Sequence, residues 1–75
     1  MNYALVGKVD VSKGVTSNFH FCLDNKESVE DAKKDAKVII DLELRGNTIL
    51  EAVIKCGNEE IKRYPRIEKG EVFVP

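Results

Sequence analysis

His20 and Cys22 stand two apart in a stretch of alternating residues, so on a strand both side chains project from one face, as a soft-metal site could begin. Zinc takes four ligands at recognisable spacings. The second thiol, Cys56, lies far along the chain and faces inward in the strand pattern around it. No metal site is expected, and His20 and Cys22 read as surface and half-buried residues. Asp41, Glu43 and Glu51 form the other group with chemical potential, since crowded carboxylates raise one another's pKa or hold Mg²⁺ or Ca²⁺. Arg45 and Lys55 share their expected face and would neutralise them. With a single His, no Gly-rich phosphate loop and no nucleophile placed beside a base, the sequence carries no catalytic constellation and calls for no cofactor.

Two segments could touch nucleic acid. In Ile61-Lys62-Arg63-Tyr64-Pro65-Arg66, the cations Lys62, Arg63 and Arg66 interleave with an aromatic ring and could meet phosphates, although Glu59, Glu60 and Glu68 flank them. Phe19-His20-Phe21, near Lys8, has the composition of a base-stacking platform. The fragment Gly7-Lys8-Val9, with Lys13-Gly14 and Phe19-x-Phe21, resembles the start of a cold-shock domain over residues 7–21. That family has further aromatic residues on its first strand, where this chain has Asp10 and Val11, and no helix after its second. In the register derived below, Phe19 and Phe21 join Leu5 and Leu23 on a core face.

These residues must be held by a small scaffold. Seventy-five residues make one domain, 1–75, that buries only about 60–65% of the surface its unfolded chain exposes. Apolar residues at 43% and charged residues at 33% place it among globular chains, and a formal charge of -1 gives no overall attraction to nucleic acid or anionic lipid. No run approaches a membrane span or a signal peptide, so no membrane association is expected, and cytoplasm with reduced cysteines is the expected setting.

Tyr3, Leu5, Gly7, Val9 and Val11 form one face of a strand while Lys8 and Asp10 fall on the other, and Ser12-Lys13-Gly14 interrupts them. A hairpin follows that sets Gly7 opposite Phe19, Leu5 opposite Phe21, Tyr3 opposite Leu23 and, through a three-residue loop, Val11 opposite Val15. Asp24 before Glu27 and Ser28 before Asp31 are overlapping capping signals. The helix they open carries a thin stripe of Val29, Ala32 and Ala36. From Lys37 alternation by twos puts Val38, Ile40, Leu42 and Leu44 inward, and a loop at Gly46-Asn47-Thr48 pairs Ile40 with Ile54 and Leu44 with Leu50. A helix continuing to Arg45 also fits Val29, Ala32, Ala36, Ile39, Ile40 and Leu44, with Gly46 as its cap. The β-branched run Val38-Ile39-Ile40 favours the strand.

Gly57-Asn58 then makes a two-residue turn with Lys55 opposite Glu60 and Ile54 opposite Ile61, and Glu71 to Val74 reads as a last short strand. The expected fold is α+β: two antiparallel β-hairpins flanking one short helix, ββαβββ, β-grasp-like or a small barrel. Ile39, Ile49, Val53 and Tyr64 fall on the outer face of the second hairpin. A contiguous apolar patch there marks a docking surface for a protein partner or a second copy. The expected function is a non-catalytic binding or self-associating module, with nucleic-acid binding through Lys62, Arg63 and Arg66 as the alternative.

Overall fold

The computed structural model describes residues 2–23, 28–44 and 46–75. The elements run β1 (Tyr3–Ser12), β2 (Val15–Leu23), α1 (Val29–Glu43), β3 (Thr48–Cys56) and β4 (Glu59–Tyr64). They make a four-stranded antiparallel sheet in the order β2-β1-β3-β4, open at both ends and covered on one face by α1. The fold is thus α+β with ββαββ connectivity, and the sheet does not close into a barrel. Among the described residues no helix is long and apolar enough to cross a membrane.

The first hairpin follows its alternation. Tyr3 pairs with Leu23, Leu5 with Phe21 and Gly7 with Phe19. Its tip differs from expectation: Ser12 pairs with Val15, leaving Lys13-Gly14 as the turn, and Val11 is the extra residue of a bulge. Ser28 caps α1, its Oγ accepting from the Asp31 amide at 3.2 Å. The overlapping signal at Asp24 and Glu27 lies outside the described residues.

The strand expected over residues 38–44 is instead the second half of α1, so its expected pairing with residues 50–56 does not form, and the hairpin that follows the helix is β3-β4. From Ser28 onward nothing breaks a helix before Gly46, and Ala32, Ala36, Ile40 and Leu44 recur every fourth residue and are all buried. The β-branched residues cost the helix only tenths of a kcal/mol each. Burying one large aliphatic side chain contributes about 1.5–3 kcal/mol, which decides for the helix. The Leu44 amide closes the last turn on the Ile40 carbonyl at 3.3 Å, and Gly46, at φ 88°, takes the left-handed conformation that stops it. Val38 and Leu42, expected inside, are exposed.

β3 then occupies the place left beside β1: Leu5 pairs with Ile54, Gly7 with Ala52 and Tyr3 with Cys56. The chain reaches it by crossing from β2 over β1 through the helix. Gly57-Asn58 makes the expected tight turn into β4, with Lys55 opposite Glu60. Two bulges alter the faces. The register with β1 shifts between Lys8 and Val9, so Leu50 is passed over and Ile49 points to the core. That with β4 shifts between Ile54 and Lys55, placing Ile54 opposite Lys62 rather than Ile61 and Tyr64 opposite Ala52, again inward. After β4 the chain carries no final strand: Ile67 makes one bridge to Ile49, and Phe73 packs edge-on against Tyr64 at 4.8 Å. Leu5, Leu23, Ile49 and Ile54 are fully enclosed in the single core.

Candidate docking edge

The expected patch on the outer sheet face is not assembled. Ile49 and Tyr64 lie in the core, turned there by the two bulges, and Ile39 sits half-buried on α1. Val53 does lie on the face away from the helix, between Val6 and Arg63, but it is buried. The three carboxylates separate as well: Asp41 and Glu43 belong to α1, where Asp41 pairs with Lys37 at 3.0 Å, whereas Glu51 on β3 binds Arg63 at 2.8 Å. His20 and Cys22 are exposed on the open face of β2, and Cys56 lies half-buried on the core side.

The cations of the C-terminal half do not converge. Arg63 is held by Glu60 and Glu51, and Arg66 by Glu68. The Arg63 guanidinium donates to the Glu60 carboxylate and so lowers its pKa; the two carboxylates in turn raise the pKa of Arg63. Lys62 projects to the opposite face, 5.5 Å from the centre of the Tyr64 ring.

Tyr64 is enclosed by the sheet and Phe73, and its hydroxyl is buried with no hydrogen-bond partner. Burial, and after it the Glu30 carboxylate, pushes the phenol above its ordinary value of 10. Tyr64→Phe removes the unpartnered group and is expected to raise stability by about 1 kcal/mol, read as the midpoint of denaturant unfolding. Because the folded-state pKa is raised, ionisation of this phenol leaves stability unchanged below pH 10 and lowers it as pH climbs from 10 through the folded value. The variant should lack that part of the alkaline loss, and equal losses in both proteins would refute the assignment.

The two rims of the sheet differ sharply. β4 carries charge at Glu59, Glu60, Lys62 and Arg63, is followed by Pro65, and is flanked by the Ile67 and Phe73 segment. Such features guard an edge against further pairing. β2, at the other rim, is nine residues long and reads Val-Thr-Ser-Asn-Phe-His-Phe-Cys-Leu. It contains no lysine, arginine, aspartate, glutamate or proline, and its own run is unbroken. Among the described residues no strand pairs with its outer side.

Phe19 and Phe21, on the helix side of β2, are only half-buried, with ring centres 5.9 Å apart. Above them lies a flank of α1. Lys37 reaches the Phe73 carbonyl at 3.1 Å and so marks the flank turned toward the C-terminal segment. Ile39 stands about 160° around the helix from Lys37, on the flank turned toward β2, whereas Leu42 lies about 140° from Lys37 in the opposite sense, near the side of α1 that faces away from the sheet. Ile39 packs down on the core; Leu42 is 75% exposed. Unpaired backbone and two half-covered phenylalanines thus form this rim of the sheet. Sequence reasoning weighs Phe19-His20-Phe21 as a base-stacking platform and assigns the edge of β2 no role in binding protein. The signal available was nine successive residues without charge in a chain whose residues are 33% charged.

No protein-family model matches this chain, and comparisons with curated proteins and with solved structures likewise give no match.

Proposed function

We propose that this domain is a non-catalytic docking module whose binding element is the outer edge of β2, and that the ligand is an extended, uncharged polypeptide segment that adds to the sheet as a further strand. One observation supports the reading above the others: a nine-residue edge strand bearing none of the charges, prolines or bulges that keep such edges single. The unpaired amides and carbonyls supply affinity along the strand. Phe19 and Phe21 on one side, with His20 and Cys22 on the other, supply side-chain preference at alternate positions.

The test is selection from a random peptide library, followed by amide chemical-shift mapping. Selected peptides should shift β2 amides first, and the exposed pair Thr16→Lys with Asn18→Lys should abolish their capture while leaving the fold intact. Peptides that shift β4 or the C-terminal segment, or a library that yields none, would dismiss the edge as the binding element.

A further inference from the structure

We infer that residues 71–75 form a hinged strap that swings off the core as one unit while the sheet and α1 stay folded, uncovering Tyr64. The strap borders β4, at the rim opposite the docking edge, and acts independently of it. The chain enters it through a turn: the Glu71 amide donates to the Glu68 carbonyl at 2.9 Å, and Gly70, at φ 88°, reverses the direction. Before the turn, Ile67 is fixed to Ile49 by two backbone hydrogen bonds of 2.9 Å each. Beyond it, among the described residues, no strand pairs with residues 72–75.

A single residue holds the strap down. The Phe73 ring is buried against Tyr64, and its carbonyl accepts from Lys37 Nζ at 3.1 Å. On either side of it Val72 and Val74 are 78% and 80% exposed. Packing around the segment is incomplete as well. A cleft of about 290 Å³ lies between it and α1, bounded by Lys37 and Ile40, and another of about 180 Å³ lies between it and the end of β4, bounded by Tyr64 and Pro65. Space on both flanks deprives the strap of the dispersion contacts that fix a core residue. Few buried apolar contacts and an unpaired backbone mark segments that open well below global unfolding.

Two further features favour opening. Lys37 also pairs with Asp41 at 3.0 Å, so its ammonium keeps an anionic partner when the strap leaves. The Tyr64 hydroxyl is buried with no hydrogen-bond partner, and Phe73 helps to enclose its ring; withdrawing Phe73 gives water a way to that hydroxyl. Ile67, Glu71 and Val72 border both clefts, so the open state joins them into one groove floored by Ile40, Ile67 and Tyr64. The strap therefore gates that groove.

NMR relaxation dispersion on the side chains of the whole chain tests this, since such openings fall between microseconds and milliseconds. One exchange process should be shared by the Phe73 and Tyr64 rings and the Val72 and Val74 methyls, and be absent from the methyls of Leu5 and Ile54. Lys37→Met removes the donor to the Phe73 carbonyl, and Gly70→Ala strains the turn that brings the strap back. Each should raise the open population roughly threefold or more. Both positions lie outside the enclosed core, and circular dichroism verifies that the variants are folded. Rings silent in the wild type and in both variants overturn the strap. Exchange confined to Val72 and Val74 overturns the uncovering of Tyr64. Exchange shared with Leu5 and Ile54 means that Phe73 leaves only when the whole molecule unfolds, and overturns the inference as well.

Discussion

Gly7→Ala is expected to cost about 3 kcal/mol or more, which is most of the stability at the lower end of the roughly 4–11 kcal/mol available to a chain of this length. Gly7 lies in the central strand between Phe19 on β2 and Ala52 on β3. A methyl group built there would overlap the Glu51 carbonyl oxygen and come within 2.7 Å of both the Glu51 carbonyl carbon and the Phe19 ring. The obstacle on one side is backbone. Relief requires moving β3 away from β1 at the point where Leu50 already interrupts their ladder. Space rather than dihedral freedom is thus what glycine supplies here. Denaturant unfolding followed by circular dichroism reads the loss, and a change under about 0.5 kcal/mol would mean that β3 does not approach β1 as described.

The second large effect is a contrast between two leucines. Leu5→Ala empties a fully enclosed position between Phe21 and Ile54 and should cost about 2–5 kcal/mol, the range for deleting a buried leucine. Leu42→Ala should change monomer stability by no more than about 0.5 kcal/mol, because the side chain is 75% exposed on a helix and alanine is the better helix former. Had residues 38–44 formed an inward-facing strand, Leu42→Ala would carry a core penalty and the two measurements would converge. Unfolding at low protein concentration keeps self-association from entering the comparison.

What the residues disclosed before any coordinates follows the range of the forces involved. The first hairpin was legible because its alternation, its turn and its partner all lie within one short stretch, and three of its expected pairs recur. The segment 38–44 satisfied both a period of two and a period near 3.6. Only the arrival of β3 beside β1, a pairing between distant parts of the chain, separates the readings. The faces of Ile49 and Tyr64 were misjudged because one extra residue, at Leu50 and at Ile61, reverses everything beyond it, and no local pattern announces a bulge. The same limit hid the candidate site. That β2 lacks charge is plain from its composition, but that it stands at the rim depends on strand order, which is set by the long connection through α1.

That crossover also orders events in time. β1 and β2 meet across a two-residue turn, whereas the middle of the sheet is sealed only when Tyr3 finds Cys56 and Asp10 finds Thr48. Ring closure of that size is slow compared with zipping a hairpin. During synthesis the amino-terminal ribbon therefore emerges well before the strand that will shield its other side, with Leu5 and Phe21 uncovered. Crowding of newly made chains in that interval exposes the ribbon to unwanted pairing, so expression yield should depend on how soon β3 arrives.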